Sequence, residues 1–422
     1  MELLYDMLSS KIKFSPGAKN WIPKYFQLVD QEIISFSIEI KDDHDANSLR
    51  LLINKTGLLY GTCTQFIYAK NLDTFRYTKD EQLKLLLFET LIHVYIEEFQ
   101  KFDRNDFLSS LEKFYQGTES HWTGFFSEQS KEAKIEKILI DRVKVKSTIF
   151  GSNYWLNHLS NSFVFLDVLL FKRFLENETH SFFDSYELIA SSALNCLAYV
   201  AYIDNQVEEK EQRMLWHFLA SADLEKENKS RCEKNILEGI SMHEIEIVNN
   251  QDLAIKQAIY ELSIFVTKGT HFLSEDEEFK IIEFGSYLGL SENDIHISFM
   301  LSNSFMIENS DDITFLKSVS STQFVYKSFT KRWLRILGRN KDKLIEELKE
   351  SKELISLIQK STKEELTKEE KELVKSQFMD ILKSMPSMAI FLLPGGGLLL
   401  PLILKIVPDL LPSSFKENEV EK

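Results

Sequence analysis

LAYVAYIDNQVEEKEQRMLWHFLASADL (197–224) and LSIFVTKGTHFLSEDEEFKIIEFGSYLGL (262–290) are two passages of one design, and their shared pattern decides the fold. Each runs from an apolar helical stretch through a polar, acidic turn into a second helical stretch. A shift of 66 residues sets Val207 on Leu273, Glu211 on Glu277, Leu215 on Ile281, Phe218 on Phe284 and Leu224 on Leu290. Apolar falls on apolar and acid on acid, as an internal repeat spanning about 186–224 and 258–290 requires. Ser274 and Glu277 have the spacing of a capping box, which satisfies the free amides at a helix start. Glu208 to Glu211 put negative charge at the positive end of the first copy's second helix.

Composition extends the helical reading outward. Only 14 Gly and 7 Pro occur in 422 residues, against 44% hydrophobic and 27% charged, so the turn signals of a sheet protein are missing. The fold class expected is all-α, and the length allows two or three domains. Cys63, Cys196 and Cys232 lie far apart without C-x-x-C spacing, which supports neither a disulfide framework nor a zinc site and fits a reducing compartment. The first residues carry Glu2 and Asp6 and lack a basic stretch followed by an apolar one, so no secretory signal is expected. A net charge of -15 excludes phosphate binding over the whole surface.

Upstream of the repeat, 82–102 is the clearest helix, and Glu89, His93 and Glu97 share one of its faces at i, i+4 and i+8. A histidine flanked by carboxylates fits a metal ligand set, but no second helix with further ligands is identifiable, which favours a hydrogen-bonded histidine on the helix face. Residues 161–175 are apolar but short for a bilayer and interrupted by Asp167, Lys172 and Arg173. This predicts a core helix in which Asp167 is buried with a partner.

The acidic turn with Asp204, Val207 and Glu211 resembles the TerB-like family of all-helical domains, over about 180–315. The resemblance implies a cation site at the acidic turns, with Asp204, Glu211 and Glu277 as its candidate ligands and a divalent cation as the one candidate cofactor. The second copy departs from the family pattern, with Thr270 and His271 where an Asp-Gly is expected.

Beyond the repeat the sign of the charge inverts. KSFTKRWLRILGRNKDK (327–343) holds seven Lys or Arg against Asp342. Phe329, Trp333 and Ile336 or Leu337 make an apolar stripe, with Arg332, Arg335 and Arg339 on another face. This is the pattern of a helix lying on an anionic membrane surface, with Lys331, Arg332, Arg335 and Arg339 as the contacting cations. A solvated helix packed on its own domain is the bland reading of the same residues, and an RNA or ribosome contact is the third.

Thr367 and Glu370 form a further capping box and start a helix that runs toward 21 uncharged residues, 384–404. As a helix these would reach about 32 Å, against a hydrocarbon core of about 30 Å. Pro394 followed by Gly395, Gly396 and Gly397 breaks such a helix, which predicts a kinked span or a re-entrant hairpin shielded by an oligomer or another protein, with a buried core hairpin of a soluble domain as the bland reading. The series Leu366, Thr367, Glu370, Asp380, Pro386, Pro394, Leu399, Leu400, Pro401, Lys405, Pro408, Leu411, Pro412, Ser413 and Phe415 resembles the membrane segment of the LETM family, the leucine-zipper and EF-hand transmembrane proteins, without a gap.

With the TerB-like middle, that resemblance implies a bacterial, biofilm-associated relative. Its cytoplasmic body would be held at the inner membrane by Pro386, Pro394, Gly395, Gly396, Gly397, Pro401, Lys405, Pro408 and Pro412. For eukaryotic members it implies cation/proton exchange and ribosome contacts. The family's carboxylate just before the L-L-P is Gly397 here, and no large domain follows the membrane segment in this sequence. Neither transport by this segment alone nor ribosome binding is therefore carried over.

The expected organisation is an N-terminal helical domain at 1–175, a TerB-like domain at 180–315 and a LETM-like region at 325–422. A non-enzymatic protein of envelope or biofilm physiology linked to cation homeostasis is the first functional reading, and a cation/proton transporter or its subunit is the second. No P-loop, G-x-G-x-x-G, H-E-x-x-H or G-x-S-x-G motif supports an enzyme. The partners expected are an anionic membrane surface and a second copy or a membrane protein; nucleic acid and the ribosome are not expected.

Overall fold

A computed structural model describes residues 14–36, 48–70, 72, 77–116, 130–145, 160–177, 182–204, 207, 209–245, 252–268, 274–309, 348, 351–361, 364, 366–367, 369–370, 373–374, 376–377 and 381. Among them there are helices and one isolated bridge, Lys144 with Ser160, and no strand, so the chain is all-α as composition predicts. The chain divides into two compact units, 1–291 and 292–422.

The first unit is built around α3 (Lys79–Phe99), after α1 (Trp21–Asp30) and α2 (Ser48–Lys55). Thr78 and Glu81 start α3 with a reciprocal capping box, and Gln100 ends it in the left-handed conformation. The sequence KLLLFETLIHVYI leaves it little polar face: Leu83, Leu85, Leu86, Leu87, Phe88, Leu91, Ile92, Val94 and Tyr95 are all buried. A helix apolar nearly all round belongs in the middle of a core. Accordingly α5 (Lys131–Val143) and α6 (Val164–Asn177) pack on it, and α4 (Arg104–Phe114) packs on both of those. Phe88 gathers the rings of Trp21, Tyr25, Phe26 and Phe107 within 6 Å, mostly edge to face.

The repeat follows as α7 (Phe182–Ala201) and α8 (Glu209–Ser221), then α9 (Lys226–Glu238), then α10 (Leu253–Lys268) and α11 (Glu275–Tyr287). Adding 66 to the bounds of α8 gives those of α11, so for the second helix of each copy the sequence repeat is also a repeat of helix boundaries. Two of its apolar pairs are core pairs, with Leu215, Ile281 and Phe284 fully buried and Phe218 nearly so, whereas Val207 and Leu224 are half-buried and Leu273 lies outside the described residues. The two leading helices, α7 and α10, pack against each other, and α9 covers α7.

Among the described residues, two buried ion pairs carry charge into this unit. Arg142 of α5 forms a bidentate fork on Asp167 of α6, at 2.8 and 2.7 Å, and the Tyr115 hydroxyl donates to the same carboxylate at 2.8 Å. The Arg142 guanidinium also lies 4.7 Å above the Tyr186 ring of α7. Arg50 of α2 donates to Glu261 of α10 at 2.6 Å, and Asn54 donates to the other carboxylate oxygen and to Tyr60. Both nodes link the stretch before residue 175 to the repeat, so their charges are desolvated inside one core.

The second unit contains α12 (Glu292–Glu308) and α13 (Lys352–Ser361). On α12, His296 meets Glu292 one turn earlier at 3.3 Å.

Candidate functional site

Helix 82–102 offered Glu89, His93 and Glu97 as a metal face, and the structure gives each another partner. Glu89 is fully buried. Its Oε1 accepts from Tyr25 Oη at 3.0 Å and Ala69 N at 2.8 Å, while its Oε2 accepts from Ile67 N at 2.7 Å and Tyr68 N at 3.0 Å. One carboxylate thus closes three consecutive loop amides that no secondary structure would satisfy. Burial pushes its pKa up to about 6, with the four donors pulling the other way. His93 Nδ1 meets Tyr68 Oη at 3.0 Å, and Glu97 accepts from Ser48 Oγ at 2.5 Å. The helix-face histidine is a packing residue beside a loop-closing carboxylate.

Asp167, expected as a buried carboxylate with a partner, is that. A second polar node was not read from the sequence. Ser162 Oγ lies 2.6 Å from His217 Nε2, and Ser162 N donates to Ser221 Oγ at 3.2 Å, all buried. Burial alone lowers the His217 pKa to about 4, so the ring is neutral. Gly61 stands against this node: at φ 65° a Cβ there would lie 2.7 Å from Ser162 Cα. No local signal marks the node, since its members sit on a loop and a helix more than fifty residues apart.

At the acidic turns, Asp204 is exposed, whereas Glu211 and Glu277 are buried near the starts of α8 and α11. Glu277 acts as the capping-box acid: its Oε2 accepts from Ser274 N at 2.5 Å, and Ser274 Oγ accepts from Glu277 N at 3.2 Å. From α11, Lys280 Nζ donates at 2.7 Å to Ile203 O, the carbonyl preceding Asp204, so an ammonium closes the end of α7. Among the described residues no group of three His, Cys, Asp or Glu side chains is placed to hold a metal ion.

The basic residues Lys331, Arg332, Arg335 and Arg339, and the tail residues Pro386, Pro394, Gly395, Gly396, Gly397, Pro401, Lys405, Pro408 and Pro412, lie outside the described residues. Among the described residues no helix is long and apolar enough to cross a membrane. What is described is the start of the helix that leads into that tail. Thr367 Oγ1 accepts from Glu370 N at 3.2 Å, and Glu370 Oε2 accepts from Thr367 N at 3.0 Å, the capping box the sequence predicts. Glu370 Oε1 is taken by Lys360 Nζ at 2.6 Å. The hydrogen bond from Lys360, and after it the Thr367 amide of the cap, hold the carboxylate of Glu370 below its usual range.

No curated protein and no solved structure matches the chain. From the residue before this cap onward, the chain matches a family model: residues 366–422 carry a domain described as LETM1-like, RBD.

Proposed function

We propose that this chain is a non-enzymatic, membrane-associated protein whose helical body is held at a membrane by its C-terminal region. The LETM1-like match over 366–422 carries the reading, because the family is one of membrane-associated proteins linked to cation homeostasis. Two features of the sequence support it. The 21 uncharged residues 384–404 are long enough to enter the hydrocarbon core, and the cations at 327–343 suit an anionic surface. Lys331, Arg332, Arg335 and Arg339 are the surface contacts in this reading, and the proline and glycine positions from Pro386 to Pro412 shape the inserted segment. The repeat of α7–α8 in α10–α11 supports a TerB-like middle module, and envelope or biofilm physiology is the setting proposed for the whole. A net charge of -15 argues against nucleic acid or the ribosome as partner.

Carbonate extraction tests the reading. Full-length protein stays with the membrane pellet and a chain ending at Ser384 is released; equal release of both removes the proposal. The same match favours a second reading, a cation/proton transporter or its subunit, while Gly397 takes the place of the ionisable group such a pathway uses. Flux of K⁺ or Ca²⁺ into proteoliposomes above that of empty vesicles would establish it.

A further inference from the structure

The match to the LETM1-like family begins at residue 366, but the structure ties that segment to residues before it. Residues 369, 370, 373, 374, 376, 377 and 381 are helical. Three side-chain bridges join them to α13 and its first flank. Gln377 Nε2 donates to Glu353 Oε2 at 2.5 Å, Ser351 Oγ donates to Gln377 Oε1 at 3.1 Å, and Lys360 Nζ donates to Glu370 Oε1 at 2.6 Å.

The register of these bridges is informative. Going up one arm by seven residues, from Glu353 to Lys360, goes down the other by seven, from Gln377 to Glu370. Seven residues are close to two helical turns, about 10.5 Å, which return each side chain to the same face. Both arms therefore present one continuous face, antiparallel, with a polar clasp at each end. Between and beside the clasps the apolar positions Leu348, Leu354, Ile358, Leu366 and Val374 are buried. Apolar burial stabilises more than an exposed ion pair does, so the clasps serve chiefly to set the register.

We infer that α13 is the leading arm of a helical hairpin whose second arm opens the LETM1-like region, so that the folded unit reaches back past the start of the match at residue 366 to about residue 348, and the start of the matched region is ordered by residues that precede it.

The test uses the full-length protein, with hydrogen exchange of residues 366–381 as the report on the hairpin. In the Leu354→Lys/Ile358→Lys double variant the exchange of 366–381 rises by about tenfold or more. Gln377→Ala, which removes two bridges and no apolar burial, raises exchange by about threefold to tenfold with the rest of the chain unchanged. Exchange of 366–381 within twofold of wild type in both variants overturns the inference.

Discussion

Replacing Glu89 by Gln is the sharpest probe of the core, because the change is nearly isosteric and its cost follows from lone pairs. The carboxyl group accepts from two donors at each oxygen. Even a protonated carboxylic acid keeps acceptor capacity on both oxygens, but an amide nitrogen has none. The best placement of the new side chain sets its oxygen toward Ile67 N and Tyr68 N and its NH2 toward Tyr25 and Ala69. The Tyr25 hydroxyl can rotate to accept, which leaves the Ala69 amide as the buried group without an acceptor. Such an orphan costs about 1–3 kcal/mol, so a loss near 2 kcal/mol is expected at pH 7.

For a unit of this size that loss lowers Tm by about 4–8 °C. The sign of the pH dependence is a second test. Glu89 has a pKa of about 6 in the fold against 4.5 for the free group, so its contribution to stability is complete below 4.5 and is lost as pH rises through 6. The gap between wild type and Glu89→Gln should therefore widen on acidification, by about 2 kcal/mol between pH 7 and pH 4.5. Thermal melts at both pH values, with hydrogen exchange of the peptide around 67–69, provide the measurement. A variant melting within a degree of wild type at pH 7, or a gap that narrows in acid, would refute the lone-pair argument.

Three further perturbations follow from the same core. His217 titrates near 4 in the fold against 6.5 when free, so its contribution is complete above 6.5 and is lost as pH falls through 4, a loss of about 3 kcal/mol. His217→Gln should flatten that acid limb in urea titrations run between pH 4 and 7. Arg50→Met strands the fully buried Glu261 and should cost about 3–5 kcal/mol, most of it recovered in Arg50→Met/Glu261→Leu, as chemical denaturation of the single and double variants would show. Gly61→Ala meets both a positive φ and a contact at 2.7 Å with backbone, and should cost more than about 1 kcal/mol in the same assay.

The parts of the fold legible in one dimension are those whose physics is local. Capping boxes at Ser274/Glu277 and Thr367/Glu370 need only a four-residue window, and both are present. The repeat was legible because burial imposes apolar residues at Leu215 and Ile281 and at Phe218 and Phe284, and the bounds of α8 and α11 follow it. Asp167 was readable as paired because a carboxylate in an apolar helix has no cheap alternative, but its partner was not: nothing near Arg142 distinguishes it from other cations until α5 and α6 cross. The Arg50–Glu261 pair spans 211 residues and has no local signature. Glu89 misleads in the same way, since its i, i+4, i+8 company is visible along the helix while the loop amides it serves are seen only in space. The further polar node at Ser162 and His217 escaped for that reason too, and the tail that carries the proposed function lies outside the described residues.

The burial of α3 has a consequence for the protein's lifetime. A protease needs an extended stretch of several residues, and residues 79–99 offer almost no face that loosens by itself, being covered by α5, α6 and the loops that Glu89 gathers. Cleavage within this helix then requires opening of the whole first unit, so its rate in a cell follows the global unfolding equilibrium instead of local fraying. Substitutions that weaken the buried pairs would show first as lower abundance, before any loss of attachment or activity is visible.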